Sequence, residues 1–127
     1  MWGENAEGLQ CRARPVKRMY AVGDGPAFTI DLRNRGGRIF AFRSGGQAPL
    51  SEYSIDGRWR PWPASSPAAG KVRPLGPGAE ITDMPATLPP EARAVLTPGP
   101  HTIRLAFSLE GVVVVSNPVE IEIAGPR

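Results

Sequence analysis

One cysteine, one histidine and two lysines are all that 127 positions hold of those residue types. The lone Cys11 rules out an intrachain disulfide, so the fold has to rest on packing and hydrogen bonds. His101 has no second histidine and no cysteine cluster to work with, which excludes the usual zinc-ligand spacings. A serine or cysteine nucleophile would want a histidine base held by a carboxylate. Spacing pairs His101 with no serine and not with Cys11. Asp24, Asp31, Asp56 and Asp83 stand apart from one another, so no calcium loop is marked. The Gly-Gly pairs at 36–37 and 45–46 lack the lysine and the following helix of a phosphate loop. Asn5, Asn34 and Asn117 each miss the glycosylation pattern. No apolar run approaches the length of a membrane helix. The first residues, Met-Trp-Gly-Glu-Asn-Ala-Glu-Gly, hold no basic stretch leading into an apolar one, so no signal peptide is expected. Helical periodicity is almost missing, and there is no internal repeat.

What is present is a chain of 13.6 kDa, the size of one domain, large enough for a core without staples. Glycine and proline number 15 each, which with so little helical patterning indicates many turns between short segments. The formal net charge is +3 and arginine supplies nearly all of the positive charge. That balance is mild and fits a solvated surface better than a nucleic-acid footprint.

Alternation of apolar and polar residues is the main structural signal, because a period of two sends one residue set to each face of a sheet. Leu9, Cys11 and Ala13 alternate with Gln10, Arg12 and Arg14, which predicts a first strand with Cys11 as a small buried residue. Pro15 predicts a kink, with Val16 to Tyr20 continuing at an edge. Gly23-Asp24-Gly25-Pro26 marks a turn. Phe28, Ile30 and Leu32 form the next strand, closed by Asn34-Arg35-Gly36-Gly37. Arg38 to Arg43 reads as a short strand buried on both faces. Tyr53 and Ile55 run into Asp56-Gly57, a favoured dipeptide for a tight hairpin, with Trp59 and Trp62 on the return arm. Residues 63 to 78 read as a surface excursion that touches the core at Val72 and Leu75. Ala79 to Leu88 is a strand interrupted by Pro85, and Pro89 to Ala94 fits one helical turn. Ile103, Leu105, Phe107 and Leu109 alternate strictly, as do Val119, Ile121 and Ile123. Val112 to Val115 reads as a strand buried on both faces or lying at an interface.

Seven to nine short strands at this spacing predict an all-β fold, an antiparallel two-sheet sandwich of the immunoglobulin or fibronectin-III kind, with a barrel as the alternative. The expected organisation is an arm or linker over residues 1–8, the sandwich over 9–124 and a tail over 125–127. A sandwich of this size offers no deep cleft for a pair of catalytic carboxylates.

The concentrated feature is Arg58-Trp59-Arg60-Pro61-Trp62. Arginine and tryptophan are the residues most enriched at binding hot spots, since each joins a large area to directional polar groups. Arg58, Trp59, Arg60 and Trp62 are therefore the candidate partner-binding residues, and bases or sugars could also stack on such indoles. The competing reading is structural. Residues three apart on a strand tend toward opposite faces, so one indole would plug the core and the other would cap an edge. Arg33, Arg35 and Arg38, with Arg43 nearby, predict a basic rim at one end of the sandwich that discourages edge pairing or docks an acidic partner. His101, beside Pro100 at a strand entrance, is expected to be structural or solvated. No catalytic residue, metal ligand or cofactor is assigned.

Several motifs together resemble immunoglobulin-like β-sandwich modules appended to large multidomain bacterial proteins. They are Trp2-Gly3-Glu4 with Gly8-Leu9-Gln10, then Asp31-Leu32-Arg33-Asn34-Arg35-Gly36, then Ile55-Asp56-Gly57-Arg58-Trp59 with Trp62. Leu75-Gly76-Pro77-Gly78 follows, and last come Pro98-Gly99-Pro100-His101-Thr102-Ile103-Arg104 and Val115-Ser116-Asn117-Pro118-Val119-Glu120-Ile121. The resemblance runs over most of the chain and implies a non-catalytic binding or spacer module, an excised domain whose partner is another protein or its own parent protein. The layout is more distantly similar to small bacterial immunoglobulin-like intracellular proteinase inhibitors, with the Pro63 to Pro77 stretch as the loop such a reading would use, although no inhibitory residue carries over. Single-stranded nucleic acid or carbohydrate binding through the Arg/Trp hairpin is the remaining alternative.

Overall fold

The computed structural model describes residues 2–44, 49–63 and 71–125. Among them the fold is all-β. The strands are β1 (Leu9–Pro15), β2 (Met19–Ala21), β3 (Ala27–Asn34), β4 (Phe40–Ser44), β5 (Glu52–Ile55) and β6 (Arg58–Pro61). They continue with β7 (Lys71–Leu75), β8 (Glu80–Thr87), β9 (Gly99–Leu109), β10 (Val112–Val115) and β11 (Val119–Ala124). One 3-10 turn, Pro90–Ala94, stands between β8 and β9, where helical geometry was expected.

The count of strands and of sheets exceeds the sequence expectation. Among the described residues three sheets form instead of two: β1-β3-β8; β2-β11-β9-β5-β6 with β10 also on β9; and the pair β4-β7. Apart from an isolated parallel bridge between Cys11 and Ser116, the described strands pair antiparallel except for β2 with β11, which run parallel. That exception follows from Pro15. The chain leaves the first sheet there, turns through residues 16–18 and joins the second sheet as a three-residue edge strand. The extra sheet comes from β7, hidden in the proline-rich excursion. It contributes its backbone to β4 from Phe40↔Leu75 to Ser44↔Lys71, while Leu75 reaches the core and Val72 stays 57% exposed.

One hydrophobic cluster serves all three sheets, with Leu9, Cys11, Phe28, Ile30, Leu32, Phe40, Phe42, Tyr53, Leu75, Ile103, Leu105, Phe107 and Val114 at its centre. Each such side chain contributes about 1.5–3 kcal/mol by leaving water. Two short strands bury one face only, against the expectation of two. Phe40 and Phe42 are buried while Ala41 is exposed. Val112 and Val114 are buried while Val113 is 49% exposed. An outermost strand has a solvated face whatever its composition, so a run of valines does not itself show two-sided burial.

Polar side chains join the layers. Asn34, fully buried, donates through Nδ2 to the carbonyls of Arg38 (2.6 Å) and Leu75 (2.9 Å) and accepts the Gly36 N–H at 3.0 Å. It thus ties the end of β3 to β4 and β7. Asn117, between β10 and β11, accepts the Ala13 N–H at 2.9 Å and donates to the Ala13 carbonyl at 3.2 Å, which fastens β1 to the larger sheet. The N-terminal segment lies on the body of the domain. The Gly3 N–H donates to the Cys11 carbonyl, and Trp2 stacks between the guanidiniums of Arg12 (4.5 Å) and Arg33 (4.0 Å).

Candidate functional site

The β5–β6 hairpin turns at Asp56 and Gly57, with φ of 52° and 88°. Two successive left-handed residues make the tight turn whose twist suits paired strands, and glycine takes the second position without steric cost. The register is Ile55↔Arg58, Ser54↔Trp59, Tyr53↔Arg60 and Glu52↔Pro61. Paired residues share a face, so Arg60 lies on the side of buried Tyr53 and Trp59 lies on the opposite side. Trp62 follows Arg60 to the inner side and packs edge-on against Tyr53, with ring centroids 5.5 Å apart at 88°.

The four candidate residues therefore do not form a single patch. Trp62 is partly buried against the core. Trp59 is 42% exposed. It borders a shallow depression of about 260 Å³ with Ser54, Gly57, Thr102 and Arg104, which places Arg104 of β9 beside it. Arg58 is exposed at the end of the hairpin. Arg60 is half-buried, and its Nε is sequestered without a hydrogen-bond partner among the described residues. The two indoles offer no common surface on which consecutive bases would stack. Glu52 at the base of the hairpin completes the ladder with Pro61, which has no N–H to give a further strand.

The turn is held down from β9. His101 is buried, with Nδ1 2.7 Å from Asp56 Oδ2 and Nε2 2.6 Å from the Thr97 carbonyl oxygen. Asp56 Oδ1 accepts the Thr102 N–H at 2.8 Å, and the Asp56 N–H donates to the Thr102 carbonyl at 2.9 Å. Desolvation works against charge on both side chains. The Thr97 carbonyl and the Asp56 carboxylate nevertheless raise the imidazole above its usual range, and the Thr102 N–H and His101 lower the carboxyl below its own. Both ring nitrogens are occupied by acceptors, so neither is a free lone pair for taking a proton from a substrate.

A second buried carboxylate sits on the smaller sheet. Asp31 is fully buried and receives Arg12 Nε at 2.8 Å, Arg14 Nη2 at 3.0 Å and the Asp83 N–H at 2.9 Å. Arg14 also reaches Asp83 at 2.8 Å. Burial pushes the Asp31 carboxyl up, but the Asp83 N–H and the two guanidiniums outweigh it and hold it below the ordinary range. Arg12, Arg14 and Arg18 line a groove of about 520 Å³ with Asn117 and Glu120. Cys11, buried on β1, has its thiol pushed up to about 12 by burial and by the Asp31 charge.

Three of the four aspartates that look isolated along the chain are thus partnered in space: Asp56 with His101, Asp31 and Asp83 through Arg14. Of the arginines expected at a basic rim, Arg33 is taken up by Gln10 and Trp2, Arg38 lies over Phe40, and Arg35 is exposed. The side chain of Arg43 lies outside the described residues, as do positions 64–70 of the stretch that an inhibitor reading would use. Among the described residues no group of three or more His, Cys, Asp or Glu side chains could hold a metal ion, and no helix is long and apolar enough to cross a membrane. No family model matches the chain, and no curated protein or solved structure matches it.

Proposed function

We propose that the chain is a non-catalytic immunoglobulin-like module that engages a protein partner through the Trp59 side of the β5–β6 hairpin. The order β1-β3-β8 in one sheet and β11-β9-β5-β6 in another supports the immunoglobulin-like reading, since an A-B-E sheet packed on a C′-C-F-G sheet has this sequence of strands. The motif resemblance supports a place as an accessory domain of a larger bacterial protein. A non-catalytic role is supported by a histidine with both nitrogens engaged and a cysteine whose thiol stays protonated.

The observation that carries the reading is the separation of the two indoles. Trp62 has a packing task, while Trp59 projects from the sheet beside Arg104 and Arg58. Covering an exposed indole on a partner releases a large apolar area, and neighbouring arginines add direction. Pro61 limits addition of a strand to β6, so the side chains, more than the backbone edge, supply the contact.

A photo-crosslinking residue at position 59 tests this in the full-length protein within its own cells, with position 82 on β8 as the control. The expected result is a discrete protein adduct from position 59 that Arg104→Glu weakens. Equal adducts from positions 59 and 82, or none from position 59, would count against the hairpin as a partner surface.

A further inference from the structure

We infer that the contact between His101 and Asp56 is a pH-operated latch on the hairpin that carries Trp59, tight while the imidazole holds two protons and weakened when it loses one. The inference rests on the hairpin reading for its biological use and on geometry for its existence.

The imidazole stands between two groups that can only accept. Asp56 Oδ2 lies 2.7 Å from Nδ1 and the Thr97 carbonyl oxygen 2.6 Å from Nε2. A neutral ring has one N–H, so one of these contacts would set a lone pair against a lone pair. The imidazolium satisfies both. The ring itself is buried, so a ring nitrogen left facing an acceptor has little water to turn to, while the Asp56 side chain is half exposed. Asp56 transmits the consequence. Its other oxygen takes the Thr102 N–H, and its own N–H and left-handed backbone belong to the turn between Ile55 and Arg58. Loss of one of the two ring protons removes the positive charge opposite Asp56 and leaves one of the two acceptors without a donor, which weakens the strap that joins the turn to β9.

Asp56 is the ionised group facing the ring. Thr97 contributes a neutral carbonyl, and on β11 the residue paired with His101 is Ile121. Glu120 and Glu122 flank Ile121 but alternate to the exposed side of the sheet, with Thr102 and Pro100 opposite them. On β9, Arg104 is exposed on that same outer side, opposite Ser54. On the 3-10 turn Glu91 acts on Tyr53.

The sign follows from the direction of the shift. A histidine whose folded value lies above the unfolded one near 6.5 stabilises the fold fully below that value, and the contribution disappears as pH rises through the folded value. The hairpin is thus pinned most firmly below about pH 6.5 and loosens as pH rises through the folded value.

The chain has one histidine, so its imidazole resonances need no assignment by mutation. NMR on the labelled free chain, titrated from about pH 5 to about pH 9, follows the ring together with the Thr102, Arg58 and Trp59 amides. The expected result is a ring midpoint above 6.5 and, with the same midpoint, a shift of the Thr102 amide. Hairpin amides should then exchange at least about tenfold faster than intrinsic base catalysis accounts for. Asp56→Asn should lower the ring midpoint and abolish the coupled change. A ring midpoint at or below 6.5, or hairpin amides that ignore the titration, would overturn the latch, and the wild-type chain alone decides this if the variant does not fold. If the latch titrates as stated while position 59 forms no partner adduct, the latch stands and the hairpin reading of function falls.

Discussion

Gly8 and Gly36 meet backbone to backbone. A Cβ placed on Gly8 would lie 2.5 Å from both the Cα and the nitrogen of Gly36, and Gly8 holds φ of +95°. The Arg35 N–H donates to the Gly8 carbonyl at 2.7 Å, which locks the entry to β1 against the turn after β3.

This contact predicts a sharp contrast between neighbouring glycines. Gly8→Ala should cost more than about 2 kcal/mol, because it adds left-handed strain to a backbone clash that no flexible side chain can relieve. Gly37→Ala meets nothing within 4 Å and should change stability by less than about 0.5 kcal/mol. Urea unfolding of the two variants beside the wild type measures both, and equal losses would contradict the proposed close packing.

Asp31 predicts the shape of the acid limb. Its carboxyl is held below its ordinary value of 3.8, as is that of Asp56, so each stabilises the fold above that value and ceases to as pH falls through the folded one. Asp31→Asn should cost about 2 kcal/mol at neutral pH, less than a fully buried pair, because Arg12 and Arg14 are partly in water. It should also flatten the loss of stability below about pH 4. Denaturation midpoints across that range provide the check, and an acid limb as steep as the wild type's would remove Asp31 from the account.

Cys11 should be inert in the folded chain. With its thiol buried and pushed up to about 12, almost no thiolate exists under ordinary conditions. Iodoacetamide at about pH 8 should leave the native protein unlabelled and alkylate it only in denaturant. Rapid native labelling would mean that β1 opens readily.

Much of this framework was legible in the sequence. The alternation of β3, of β9 and of β11 names buried residues directly, and Asp56-Gly57 fixes a hairpin. The separation of Trp59 from Trp62 follows from their spacing once the hairpin is placed. Other features left no trace. β7 pairs through its backbone and sends Leu75 inward while Val72, Arg73 and Pro74 are exposed, so Lys71-Val72-Arg73-Pro74 has no hydrophobic period to read. The meeting of His101 with Asp56 spans 45 residues and depends on the register of β5 with β9, which side-chain types do not reveal. The stack of Trp2 between Arg12 and Arg33 needed the arm to fold back, and a segment rich in Glu, Asn and Gly gives no such sign. For Val112 to Val115 the exposed Val113 removes the reading of burial on both faces and leaves the interface reading in place: four valines look the same whether one or two of their faces are covered.

The central claim is that Trp59 is kept exposed for recognition while Trp62 holds the fold. The most direct test compares the denaturant midpoints of Trp59→Ala and Trp62→Ala. Trp62→Ala should lose about 2 kcal/mol, below the 3–5 of a fully buried aromatic, and Trp59→Ala should stay within about 0.5 kcal/mol of the wild type. If Trp59→Ala falls as far as Trp62→Ala, the exposed indole is part of the scaffold and the binding surface has been misplaced.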